Sequence, residues 1–224
     1  MIDIEYLNNY LPGIELIQEV NDYSDKIPYS WAEILRSHDQ KFRKLQVIET
    51  WAAIFSNEEL SNTIQFMENY LEEIHLVKTE DNFSLIYVYQ IEDEIFYREG
   101  RNAKCMTNNS VWDSELQKVS EHLMKFYSDL HDGWFEPESE SMGLLPSEDF
   151  FAIGSQEWDI FDEIDSEKDF NKVIAMFSNG GGGYLCLDFN TIPVSALIWW
   201  HDEQPDSDLN LFDVLDEWIV IGFE

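Results

Sequence analysis

Four consecutive glycines, Gly180 to Gly183, follow Asn179 between two apolar runs, Lys172 to Ser178 and Tyr184 to Phe189. A glycine run supplies the positive φ angles of a tight reversal, so the two runs are held to an antiparallel hairpin. A phosphate cradle would need G-x-x-x-x-G-K-[ST], or a G-x-G-x-x-G turn leading from a strand into a helix, so that backbone N–H groups face the anion. Here a strand follows the glycines, and the nearest base, Lys172, precedes them by a whole strand. The run therefore reads as a sheet turn and not as a nucleotide site.

The remaining patterns extend that sheet and add helices. Ser30 with Glu33 and Ser56 with Glu59 have capping-box spacing. The first pair opens Trp31 to His38. The second precedes Leu60, Ile64, Met67, Leu71 and Ile74, an apolar stripe at helical spacing. Asp39 to Phe55 is also expected to be helical. Phe83 to Ile91 is rich in β-branched and aromatic residues, and Ile95 to Tyr97 can pair back across Glu92-Asp93-Glu94. Ser110 and Asp113 cap a helix with Trp112, Leu116, Val119, Leu123, Phe126 or Tyr127, and Leu130 on one face, ending at Gly133. An acidic loop, Glu136 to Pro146, a short strand at Phe150 to Ile153, a strand at Val194 to Trp200, and a closing helix with Leu211, Leu215, Trp218 and Ile219 before Gly222 complete the chain. The expected class is α+β, helices packed on a mainly antiparallel sheet.

Charge narrows what such a chain can bind. The 224 residues hold 13 Lys+Arg against 46 Asp+Glu, a formal net charge of −33. Gripping nucleic acid requires a basic face that releases phosphate counterions, so nucleic acid is excluded as a charge-bound ligand, as are anionic membrane surfaces. Disorder is excluded by 44% hydrophobic and 15% aromatic content, enough to bury a core at this length. The imbalance changes near residue 105: residues 1–104 hold 9 basic and 20 acidic side chains, residues 105–224 hold 4 and 26. This suggests an extension over residues 1–105 and a domain over residues 106–224, or one continuous compact unit. Cys105 and Cys186 form no C-x-x-C pair and read as reduced core thiols. Met1 to Tyr10 lacks a basic start and an apolar run, and the apolar stretches fall short of the roughly 20 residues of a membrane helix, so a cytoplasmic location is expected.

Chemistry-bearing motifs are weak by comparison. So many carboxylates guarantee some pair at glycosidase spacing, which removes their diagnostic value. His38, His75, His122, His131 and His201 form neither H-E-x-x-H nor a Cys-His group, and the Asp206-x-Asp208 segment lacks the glycine and glutamate of a calcium loop. No G-x-S-x-G occurs. No catalytic residue, metal or cofactor is expected. What remains is acid interleaved with aromatics: Trp134 with Glu136, Glu138 and Glu140; Glu157 to Glu163; and Trp199, Trp200, Asp202, Glu203, Asp206 and Asp208. Aromatic anchors ringed by charge are the composition of a hot spot for an oppositely charged protein.

About half the chain, residues 110 to 224, resembles the SUKH superfamily, the SMI/KNR-like fold. The carriers are FYSDLHDGW (Phe126 to Trp134), Gly143-Leu144-Leu145-Pro146, AMFSNGGGGYLCLDF (Ala175 to Phe189), PVSALIWWHDEQPDS (Pro193 to Ser207) and LFDVLDEWI (Leu211 to Ile219). The family's Asn-Gly turn after its first helix is Asp132-Gly133 here. The resemblance implies an SMI/KNR-like fold with an N-terminal helical and hairpin extension. It also implies a non-catalytic immunity protein, monomer or dimer, that binds and inhibits a cognate toxin domain, in many cases a basic nuclease. A non-catalytic scaffold or regulatory interaction module is the alternative within the same resemblance.

Self-repulsion among so many like charges destabilises the compact state and is screened by salt. The thermal unfolding midpoint is therefore expected to rise between low and moderate salt. A flat or falling midpoint would show that the carboxylates are compensated locally.

Overall fold

The computed structural model describes residues 1–56, 58–80, 82–103, 118–164 and 168–223. Their strands join in one antiparallel sheet. These are β1 (Glu15–Ile17), β2 (Leu71–Thr79), β3 (Asn82–Ile91), β4 (Glu94–Asn102), β5 (His131–Glu136), β6 (Ser141–Leu144), β7 (Phe151–Ala152), β8 (Val173–Ser178), β9 (Gly183–Asp188), β10 (Ser195–Trp200) and β11 (Asp206–Leu209). They lie in chain order from β1 to β6 and from β8 to β11, with β6 and β7 both paired to β8. The helices are α1 (Ile4–Leu7), α2 (Tyr29–Ile34), α3 (Gln40–Ile54), α4 (Ser61–Tyr70), α5 (Glu121–Lys125) and α6 (Leu211–Ile221). The α+β class with an antiparallel sheet is thus observed.

Side-chain alternation gives the sheet two apolar faces, and each is covered. On one face Trp31, Trp51, Met67, Phe126 and Leu215 from the helical segments pack on Leu85, Tyr87, Tyr89, Trp134, Met176 and Leu187 from the strands. On the other face Leu7 and Ile14 cover Val77, Ile86, Val88 and Tyr97. Farther along that second face Ile153 and Ile160 cover Val173, Ala175, Leu197 and Trp199, with the expected core thiol Cys186 among them.

The glycine hairpin forms as expected. Asn179 Oδ1 accepts from the Gly181 and Gly183 N–H groups, and Gly180 and Gly182 have φ of +70° and +88°. The β3–β4 hairpin turns at Glu92 and Asp93, with Ile91 opposite Glu94. Asp39 caps α3 by accepting from the Lys41 N–H, and Asn210 caps α6.

Four expectations are corrected. The chain leaves the helix at Tyr70, so Leu71 and Ile74 belong to β2. There Ile74 and Leu76 alternate onto the helix-side core and β3 supplies a full ladder, which a further helical turn would forfeit. Ser30 does not cap α2. The Pro28 carbonyl accepts from Trp31 and Ala32, the helix stops at Ile34, and Ser30 Oγ donates to the Asp129 carbonyl at 2.5 Å. Gly133 does not end a helix. The helical segment closes through a π-turn over Phe126–Leu130, and Gly133 lies in β5 with φ +92° against the Pro146 backbone. The acidic stretch Glu136 to Pro146 is not a simple loop, since it contains β6. The Ser110–Asp113 cap, Trp112, Leu116 and Cys105 lie outside the described residues.

The sheet continues across residue 105. Glu99 pairs with Phe135 and Gly100 with Trp134, and the imidazole of His131 lies against the Gly100 Cα. Glycine is also required at 143, where a Cβ would meet the Trp134 carbonyl and the Phe135 Cα, whereas at 181 the nearest atom is 3.6 Å away. Gly143→Ala is expected to lower stability by roughly 2–4 kcal/mol and Gly181→Ala to stay within about 0.5 kcal/mol. Urea unfolding of the two variants tests this, and equal midpoints would contradict the close approach of β5 and β6.

Candidate functional site

In an antiparallel meander successive reversals alternate between the two ends of the sheet. The β3–β4, β5–β6, β8–β9 and β10–β11 turns therefore share one end. Contacts between them agree: Ser141 and Met142 lie against Gly180, the His201 N–H donates to the Gly182 carbonyl at 3.1 Å, and Trp200 covers Gly183. These turns bring Glu92, Asp93 and Glu94 together with Glu138, Glu140, Asp202 and Glu203, all exposed, and none of the four carries a Lys or Arg. The end of the sheet is thus a concentrated acidic face.

Two of the residues expected to contact a partner are not on it. Trp134 and Trp199 are fully buried and belong to the core. Trp134 faces the helices, with its ring 5.5 Å from that of Trp51 and 5.9 Å from that of Tyr87. Trp199 faces the opposite layer, between Trp158, Phe161 and Phe170. Adjacent strand residues point to opposite faces, so burial of Trp199 turns Trp200 the other way. Trp200 is half-buried against Trp218 and donates its indole N–H to Asp206 at 3.0 Å.

The acids also divide. Glu136 is turned inward, 3.6 Å from the guanidinium of the fully buried Arg98. That guanidinium donates to the Tyr97 and Gly222 carbonyls and stacks 4.0 Å from the Phe223 ring centroid. Burial lowers the Arg98 pKa to about 10, and the Glu136 charge works against that shift. Glu138 accepts from the Tyr6 hydroxyl of the N-terminal segment. Glu140, Asp202, Glu203 and Asp208 are exposed, with Glu140 3.9 Å from Arg101. From sequence Glu92, Asp93 and Glu94 read only as a turn. Antiparallel pairing of β3 with β4 and of β4 with β5 is what assigns them to the same end.

Several titratable groups elsewhere are enclosed. His131 is fully buried, its Nε2 2.6 Å from the Tyr87 hydroxyl, which in turn accepts from the Trp51 indole N–H at 3.1 Å. The Tyr87 hydroxyl and His131 Nε2 share one hydrogen bond, whose donor is set by the imidazole tautomer. Cys186 is buried mid-strand, and burial pushes its thiol well up. Burial likewise raises the Glu99 and Asp132 carboxyls. Among the described residues no three His, Cys, Asp or Glu side chains converge as a metal-binding set, and no helix is long and apolar enough to cross a membrane.

No family model, curated protein or solved structure matches this chain. The SUKH resemblance of residues 110 to 224 therefore rests on the sequence pattern alone.

Burial lowers the His131 pKa from 6.5 to about 3, so the native imidazole stays neutral where the unfolded chain protonates it. With a depressed folded pKa on a base, stability is complete above the unfolded value and is lost as pH falls toward the folded one, at up to about 1.4 kcal/mol per pH unit. Glu99 and Asp132, raised in the native state, contribute with the opposite sign, so the comparison is between wild type and His131→Gln. Between pH 6 and 4 the wild type is expected to lose stability more steeply than the variant. Parallel profiles in urea titrations would show that His131 does not stay neutral.

Proposed function

We propose that this chain is a non-catalytic binding protein whose acidic sheet end engages a basic protein, and more specifically an immunity protein that neutralises a cognate toxin domain in the cytoplasm. The carrying observation is the convergence of four Lys- and Arg-free turns at one end of the sheet. Surfaces of one sign focus the field and raise association rates by roughly 10 to 10³-fold at low ionic strength. A nuclease groove built for phosphates is the natural complement of such a surface. The SUKH-like segments support the immunity reading and the SMI/KNR-like assignment of the domain. Trp200 supplies an aromatic side chain beside Asp206, and the exposed acids around it form the rim.

The test takes as partner the C-terminal domain encoded by the reading frame immediately upstream of this chain's gene, the place where the proposal puts a toxin. The Asp202→Asn, Glu203→Gln, Asp206→Asn, Asp208→Asn variant preserves side-chain shape and removes four charges. Stopped-flow association with that domain is expected to slow about tenfold or more at low salt, with the rates converging at high salt. Equal low-salt rates would overturn the assignment, and capture of several unrelated proteins without inhibition would favour a scaffold.

A further inference from the structure

The strongest unassigned feature borders the acidic sheet end at Glu140 and is centred on the buried Glu99. On the sheet face opposite the helices, a crevice of about 370 Å³ is lined by Leu11, Ser84, Glu99, Arg101, Asp132 and Glu148, among others. Ser84 and Arg101 are opposite each other on β3 and β4, and Glu99 is two residues from Arg101, so all three project to this face. The volume is in the range of small-molecule sites.

The Glu99 carboxyl is the unusual group. Its side chain is 5% exposed, its Oε1 accepts from Ser84 Oγ at 2.6 Å, and its Oε2 has no hydrogen-bond partner. A buried carboxyl oxygen left without a donor costs free energy that a ligand N–H would recover. The one cation in the crevice among the described residues, Arg101, does not fill that role. Its guanidinium lies over the Phe135 ring, 3.9 Å from Glu99, 3.9 Å from Glu140, 3.5 Å from Glu148 and 4.0 Å from Asp149. One positive charge is thus shared loosely among four carboxylates, with Asp132 nearby and almost wholly buried. The crevice keeps an excess of negative charge, and it already holds a guanidinium on an aromatic face.

We propose that this crevice binds an organic cation, an alkylguanidinium or alkylammonium group, with Glu99 Oε2 as the acceptor on its floor and Asp132 and Glu148 supplying negative charge at its walls. Arg101 is the resident competitor for the same carboxylates. The proposal stands on the Glu99 geometry and not on the acidic sheet end, so either can fail without the other. The cation can come from a free small molecule or from a Lys or Arg side chain of a bound protein.

Calorimetric titration with agmatine and with an acetyl-arginine-amide-terminated pentapeptide separates these sources. Saturable binding of agmatine at least as tight as that of the peptide assigns a small molecule. Tighter peptide binding assigns a protein side chain. Glu99→Gln, which keeps the side-chain shape, is expected to weaken the tighter probe about tenfold or more. Arg101→Gln is expected to strengthen it, because the resident cation is gone. Opposite shifts cannot come from general loss of structure, which would weaken both, and thermal unfolding of each variant confirms the fold. Absence of saturable binding for both probes at millimolar concentration, or shifts of the same sign in the two variants, would overturn the proposal.

Discussion

The Trp51–Tyr87–His131 hydrogen-bond chain is the joint on which the rest of the structure depends. It links α3, β3 and β5, and so ties the helical layer and the first hairpin to a strand that arrives only after residue 105. The imidazole reaches Tyr87 because Gly100 has no Cβ to block it. Kept neutral by burial, it sits in a core that also holds Trp31, Phe126 and Trp134. Arg98 closes the same seam from the other end, holding the C-terminal carbonyl of α6 to β4. With β4 and β5 joined in this way, the two unevenly charged halves of the sequence share one sheet.

That pairing also decides where charge goes. A chain with 46 acids and 13 Lys+Arg cannot neutralise its carboxylates by internal pairing. Strand interiors are mostly apolar on both faces, so the acids gather in turns and on the edge strand β11, whose exposed Asp206 and Asp208 also deter edge-to-edge pairing. The exceptions are informative. Glu136 faces the buried Arg98, Asp188 is 2.5 Å from Lys168, and Asp216 caps the start of α4 through the Asn62 and Thr63 N–H groups. Among the described residues Glu99 is the buried carboxyl with one oxygen left unpartnered, which separates the crevice chemistry from the general acidity of the surface.

Much of the sheet was legible because its signals are local. The glycine run and the Glu92-Asp93-Glu94 reversal each state their conformation within a few residues. Leu71 and Ile74 misled because their spacing satisfies a helical stripe while Ile74 and Leu76 equally satisfy strand alternation, and the ladder to β3 is a non-local partner. Strand β4 was readable only to Tyr97, since Arg98 to Asn102 resembles a charged loop until its buried contacts are seen. The same limit applies to Trp134 and Trp199. Aromatics beside acids read as surface anchors, and only the layers over both sheet faces show them to be core. Trp200 turns to the helix face, where α6 covers it only in part through Trp218, and the acids beside it stay exposed.

The central claim is that the acidic end of this sheet is the contact face for a basic protein. Amide hydrogen exchange on the chain, free and bound to the basic toxin domain proposed as its partner, tests it most directly. Protection on binding is expected to concentrate in residues 92–94, 137–140, 179–183 and 201–208, with α2 and α3 unchanged. Protection centred on α2 and α3, with those four turns exchanging as in the free chain, would contradict it.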